Sequence, residues 1–177
     1  MTNLTEINTR VRAMLDDSQA LRFSDSLLEA ALGQALEELE QRAPCIGTVT
    51  HTVTTAGRDQ SLPGLAGCRY MVSVTVPLAD GSSRCLEPET SFTYLLADGV
   101  PTLHFLGSRV PAIGDQLLLQ FAAGYDIAGY KGALSTTLPV EMESALINGT
   151  AGRACFLRAG SLIESYGGRN SDSSRWM

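Results

Sequence analysis

Residues 22–44, RFSDSLLEAALGQALEELEQRAP, carry the clearest structural instruction in the chain. Ser24 can accept a hydrogen bond from the free N–H groups of a first helical turn, and Asp25 adds negative charge where the helix dipole favours it. Phe23 stands where a hydrophobic staple begins. From there Leu28, Ala31, Leu32, Ala35, Leu36 and Leu39 repeat at three and four, with Glu29, Gln34, Glu37, Glu38 and Glu40 on other faces, until Pro44 follows the end. Upstream, Leu4, Ile7, Val11 and Met14 keep helical spacing, which predicts a shorter helix over 4–15. Asp16, Asp17 and Ser18 break it by competing for backbone hydrogen bonds. The short connection predicts an antiparallel pair, with the leucine stripe of the second helix lying on the first.

Past Pro44 the period changes to two. Residues 47–55 are rich in Val and Thr, and 69–78 alternate, with Tyr70, Val72, Val74, Val76 and Leu78 expected on one face. Asp80-Gly81 and Asp98-Gly99 supply hairpin turns. Residues 115–123 place Leu117, Leu119 and Phe121 opposite Gln116 and Gln120. Pro139 then suits a helix start, with Glu141 and Glu143 in the first turn, and the helix is expected to run to about Ala159. Within it Gly149 and Gly152 each cost about 1 kcal/mol relative to Ala, a cost that close approach of another helix would offset. Residues 160–177 read as a flexible tail. The expected fold class is α+β: a helical bundle built from N-terminal and C-terminal helices, with an inserted antiparallel β-sheet or small β-sandwich. The expected divisions are 1–44 with 136–160 for the bundle, 45–125 for the β-domain and 161–177 for a C-terminal docking tail.

At 177 residues the chain can bury a real core, and 44% hydrophobic against 18% charged residues argues against a largely disordered protein. The net charge is −6, and Lys131 is the only lysine. Arg58, Arg69, Arg84 and Arg109 stand singly, without the basic stripe that a phosphate-neutralising surface needs, so the chain is expected to repel DNA. Cys45, Cys68, Cys85 and Cys155 form no C-x-x-C pair and read as free thiols in a reducing cytosol. The N-terminus shows no charged start followed by an apolar run, and no stretch has membrane-span length, so neither export nor membrane insertion is expected. His51 and His104 have no Cys, Asp or Glu at ligand spacing, and a G-x-S-x-G elbow and a P-loop ending are both missing. Glu141/Glu143 and Glu37/Glu38 do not face each other on a helix. No catalytic residue, metal site or cofactor is therefore expected. Arg175 and Trp176 are a pair of residue types enriched at binding hot spots, which points to a partner-docking tail.

The stretch from Arg22 to Pro44 resembles the Arg-aromatic-Ser/Thr-Asp-x-x-Leu opening of head-to-tail adaptor, or connector, proteins of tailed bacteriophages, with Arg22, Phe23, Ser24 and Asp25 on the motif. The step Ser61-Leu62-Pro63 and the return LPVEMESALINGTAGRA, residues 138–154, come in the order of that family. The long sheet region between Cys68 and Tyr125 departs from it. The resemblance implies a structural virion protein with no catalytic residues. It would form a ring, typically of twelve copies, that joins the portal to the tail in the head–tail neck after synthesis in the host cytoplasm. Its C-terminal part would engage the portal protein, here through Arg169, Arg175, Trp176 and Met177. Tail, nozzle or fibre proteins would bind the other side, and genomic DNA would pass through the lumen without specific binding. Beside an enzyme, which the missing acid–base constellation counts against, two other readings compete. One is another neck or tail-completion protein. The other is a β-sandwich carbohydrate-binding module, which would carry aromatic residues on exposed strand faces, whereas the sole tryptophan, Trp176, lies outside the sheet region.

Overall fold

The computed structural model describes residues 2–65, 67–78, 81–107 and 110–170. They form an α+β chain that divides into two compact units, Met1–Ala43 with Tyr125–Met177, and Pro44–Gly124.

In the first unit, α1 spans Leu4–Met14, α2 Asp25–Arg42 and α3 Val140–Asn170. Both starts are capped as the side chains dictate: Asn3 accepts from the Glu6 N–H at 2.9 Å, and Ser24 from the Leu27 N–H at 3.2 Å. Most of the predicted stripe is buried, with Ile7 and Val11 of α1 and Leu28, Ala31, Leu32, Ala35 and Leu36 of α2 beside Leu146, Ile147, Ala151 and Ala154 of α3, but Met14 is exposed, Leu39 is half-buried, and Glu40, expected on a polar face, is buried. Each large aliphatic side chain so buried contributes about 1.5–3 kcal/mol. The expected pairing of helices is corrected. The leucine stripe of α2 packs chiefly on α3, which also receives α1, and α1 with α2 do not form the main pair. The reason is available surface. At 31 residues α3 is roughly 46 Å long at 1.5 Å per residue, far more helix than α1 offers. Gly149 lets α2 come close, since a Cβ there would lie 3.4 Å from that of Ala35.

A second correction concerns the end of α3. The helix does not stop near Ala159 but continues to Asn170. Its polar residues are satisfied within it: the Ser161 hydroxyl donates to the Arg158 carbonyl at 3.1 Å, and that of Ser165 to the Leu162 carbonyl at 2.8 Å. The connection from Tyr125 to Pro139 is tied to both N-terminal helices. Tyr125 donates its N–H to Glu40 and its hydroxyl to the Ala43 carbonyl, each at 2.7 Å. Thr136 donates to the Thr2 carbonyl and accepts from the Ala128 N–H. Among the described residues no helix is long and apolar enough to cross a membrane.

The second unit holds two antiparallel sheets. Strands β1 (Cys45–Thr52), β7 (Gln116–Ala123), β3 (Cys68–Pro77) and β4 (Ser83–Leu86) form one in that order, and β2 (Asp59–Ser61), β6 (Val100–Phe105) and β5 (Phe92–Ala97) form the other. A single core draws on both: Met71, Val74, Val76, Leu117 and Leu119 from the first, Phe92, Leu103 and Phe105 from the second, with Val53, Leu62 and Leu65 from the connections. The turn at Asp98-Gly99 has both residues at positive φ, 49° and 78°, as a two-residue hairpin between Ala97 and Val100 requires. Strict alternation along β3 is corrected. Its register against β7 shifts between Cys68 and Tyr70 and again between Met71 and Ser73, so the buried positions are Cys68, Met71, Val74 and Val76, while Tyr70 is exposed. Each extra residue reverses the facing of the strand beyond it, which a reading of period alone does not detect.

The two helical glycines of α3 have opposite surroundings, because a Cβ at Gly152 would meet nothing within 4 Å. Replacement G152A is expected to raise stability by about 0.5–1 kcal/mol through helix propensity. Replacement G149L should lower it by about 1–3 kcal/mol through overpacking against Ala35. Thermal or urea denaturation of the two variants checks both signs.

Candidate functional site

The motif residues Arg22, Phe23, Ser24 and Asp25 build the joint between α1 and α2. At its centre is Asp17, whose carboxylate is 2% exposed. It accepts the N–H groups of Leu21, Arg22 and Phe23 at 3.0, 3.0 and 2.9 Å, and Arg12 at 3.2 Å. Arg12 also donates to the Phe23 carbonyl at 2.8 Å and to Asp25 at 2.6 Å, so one guanidinium ties the last turn of α1 to the first of α2. Arg22 donates to the carbonyls of Leu15 and Asp16, which closes the end of α1 where the dipole favours a cation. Phe23 is buried, with the Arg158 guanidinium 5.2 Å from its ring centroid. Asp16 and Ala20 take positive φ, 50° and 54°, a strain that the bonds around Asp17 hold in place. The sequence marked Arg22 to Asp25 but not Arg12 or Asp17. The one available signal was an acidic residue in the break between two helices, which is also a common turn residue.

Burial acts to raise the Asp17 pKa, but the backbone donors and the nearby Arg22 charge outweigh it and hold the carboxyl below its ordinary 3.8. Glu38 is held below 4.5, first by its hydrogen bond from Arg153 and then by the charges of Arg42 and Arg153. Glu143 is likewise lowered, first by the Thr2 hydroxyl and also by Arg10 at 3.0 Å.

Of the expected tail contacts, Arg169 falls in the last turn of α3, and its side chain lies outside the described residues, as do Arg175, Trp176 and Met177. Over its C-terminal half α3 presents exposed apolar side chains. Phe156 is 73% and Ile163 72% exposed. Their spacing of seven, with Ala159 and Gly160 between, puts them on one side of the helix. Leu162, also exposed, lies about 100° around the helix from Ile163 and on another face.

One acid–base pair escaped the sequence reading. The β2–β6 register sets Asp59 opposite His104, and the His104 Nδ1 lies 2.6 Å from the Asp59 carboxylate. The two residues are 45 apart in sequence, so ligand spacing could not reveal them. The pair sits on an open strand face, and no Ser, Thr or Cys is hydrogen-bonded to the imidazole among the described residues. His51, on β1, has its pKa lowered by burial. The described residues hold no group of three or more His, Cys, Asp or Glu side chains placed to bind a metal ion. All four cysteines are free. Burial pushes the Cys68 thiol up, and it pushes Tyr94, whose hydroxyl donates to the Cys68 carbonyl at 2.9 Å, up to about 12.

No family model matches the chain, and no curated protein does. Among solved structures, chains from three assemblies are similar. In "Neck of empty GTA particle computed with C6 symmetry" the identity is 20%, over 81% of this chain and 74% of that one, with a TM-score of 0.36. In "Virion of native gene transfer agent (GTA) particle" the figures are 21%, 84%, 75% and 0.37. In "Neck of native GTA particle computed with C12 symmetry" they are 21%, 82%, 76% and 0.34. At these TM-scores the superposition is too partial to assign a residue or a role.

Asp17, Glu38 and Glu143 all have lowered folded-state pKa values, so in the acid range the unfolded chain binds more protons than the folded one. Their contribution is fully present above the ordinary values of 3.8 and 4.5 and is lost as pH falls through the lowered ones. Thermal melts from pH 7 to pH 3 should show Tm falling below about pH 4.5. Replacement D17N should reduce Tm at neutral pH and flatten that acid limb; an unaltered limb would contradict the role given to Asp17.

Proposed function

We propose that this chain is a structural subunit of the head–tail neck of a phage-like particle, an adaptor repeated in a ring between portal and tail. The observation that carries the reading is the Arg22–Asp25 opening. Its sequence resembles that of phage adaptors, and each of its residues serves the α1–α2 joint: Arg22 closes α1, Phe23 plugs the core, Ser24 caps α2 and Asp25 takes the Arg12 guanidinium.

The surface supports an assembling protein. Phe156 and Ile163 expose large apolar side chains on one side of the C-terminal half of α3, and apolar patches of this kind mark contact sites. On this reading the far half of α3, with Arg169, Arg175, Trp176 and Met177 beyond it, docks the portal, and the β-unit meets tail, nozzle or fibre proteins. Twelve copies linked in a ring bind as one, so a weak contact per copy is enough. Each copy brings a net charge of −6, and a channel lined by such chains repels DNA and lets it slide. The chemistry is assembly, with no catalytic step and no cofactor.

Removing residues 167–177 is expected to abolish attachment to the cognate portal, seen by electron microscopy of the mixed proteins, while the melting temperature of the free chain changes little. The double replacement F156E/I163E should do the same, because both side chains are exposed in the free chain. Persistent attachment of both variants would refute α3 as the docking element. A wild-type chain that stays solitary with portal and tail components present would refute the adaptor reading itself.

A further inference from the structure

The four sheet edges of the β-unit are unequal. β4 is four residues long and carries Arg84, and β2 is three residues long and carries Asp59. Short length and charge are the usual means by which a protein protects an edge from pairing with another chain. The other two edges lack both. β1 is eight residues, CIGTVTHT, with no Lys, Arg, Asp, Glu or Pro, and its register with β7 runs from Cys45–Ala123 to Thr52–Gln116 without a bulge. β5 is six residues, FTYLLA, equally free of charge and proline. Among the described residues no backbone hydrogen bond is made on the open side of β1, and on β5 only Phe92 is engaged, accepting from the Glu89 N–H.

A second observation concerns the inner side of β1. Cys45, Gly47, Val49 and His51 point toward the core side of the sheet, opposite Ala123, Phe121, Leu119 and Leu117. A strand covered by a second sheet would bury this row, yet Val49 is exposed and the other three are only half-buried. Beside it runs an apolar groove of about 420 Å³, with Val49 and Leu119 on one side and Leu62, Pro63 and Leu65 on the other. The three-residue β2 is too short to close the sandwich there. An open backbone edge next to an uncovered apolar groove is the arrangement that accepts an added strand: main-chain bonds supply affinity and alternate side chains enter the groove.

We infer that the open edge of β1 receives β5 of a second copy of this chain, so that neighbouring subunits are joined by a continuous sheet. β5 fits the acceptor in kind. It is extended and neutral, six residues against the eight of β1, and on the face it shares with Phe92 and Tyr94 it presents Leu96, 67% exposed, to a groove that Val49, Leu62, Leu65 and Leu119 help to line. Because donor and acceptor are different edges, every copy gives one strand and takes one. That is a heterologous contact, which closes into a ring or grows into a filament. The inference rests on the ring reading and specifies how the ring is held together.

The test uses the full-length chain with an edge charge on either partner, T50K on β1 or L95K on β5, and with L118K as a control. Leu118 lies on the outer face of β7, the inner neighbour of β1 in the sheet, away from any open edge. Oligomerisation is measured by analytical ultracentrifugation, and amide exchange by mass spectrometry over 45–52 and 92–97. The wild-type oligomer should slow exchange in both segments. T50K and L95K should each weaken assembly at least about tenfold at unchanged monomer Tm, and L118K should not. If only T50K acts, the occupant is not β5 and the inference fails. If L118K acts as strongly as the edge variants, the copies stack by sheet faces and it fails too. An oligomer untouched by either edge lysine overturns the inference but leaves the ring standing. A wild-type chain that is monomeric alone and with its portal overturns both.

Discussion

A carboxylate withdrawn from water must be surrounded by donors, and the helical unit is organised around one that is. Asp17 takes three backbone N–H groups and the Arg12 guanidinium, which fixes the reversal of the chain between α1 and α2. Once that reversal is fixed, Phe23 can enter the core, Ser24 is presented to the first turn of α2, and both helices arrive on α3 with their apolar stripes in place. The residues that resemble the adaptor motif are thus the visible half of a network. Its other half, Arg12 and Asp17, lies before the motif, and neither half is stable alone: a lone buried Asp17 would be costly, and without Arg12 both Asp25 and the Phe23 carbonyl would lose their shared donor.

The β-unit obeys a different constraint. Its two sheets share one core, but one has four strands and the other three, and β1 contributes no residue to that core. The core is complete at Leu117, Leu119, Leu103 and Phe92, all fully buried, and incomplete along β1. Gly47 makes this visible. The Phe121 ring lies over it, with ring carbons 2.6–3.0 Å from where a Cβ would be, so that the aromatic side chain covers a strand no second sheet covers.

Much of this was legible from one-dimensional pattern. The cap of α2, the burial of Leu28 to Leu36 and the Asp98-Gly99 turn depend on residues within four positions of each other, where side chains act directly on local backbone. The illegible parts depend on partners distant in sequence. The bulges in β3 exist because of its register with β7. The preference of α2 for α3 over α1 depends on the length of a helix roughly 100 residues away, long enough at 1.5 Å per residue to receive both. The Asp59–His104 pair is created by a strand pairing. The Ser-rich end of α3 failed in another way: Ser161 and Ser165 are weak helix formers, but they bond back to their own helix, so composition suggested a tail where the chain stays helical. Of the candidate site, the motif positions were readable, while the roles of Arg12 and Asp17 and the exposed pair Phe156 and Ile163 required the fold.

Low charge and open edges are ordinarily a hazard, because neutral strands pair with whatever strand they meet. This chain combines them with a net charge of −6 whose carriers are placed elsewhere: β1 and β5 have none, and the acidic residues concentrate in the helical unit. Long-range repulsion between copies is then felt at a distance, screened within about 8–10 Å at physiological salt, while the surfaces that would meet are neutral and incur no charge desolvation on contact. On the ring reading proposed above, such a division would keep free copies apart at low concentration and let them join where a scaffold holds them together, since a linked array raises local concentration without requiring stronger pairwise contacts.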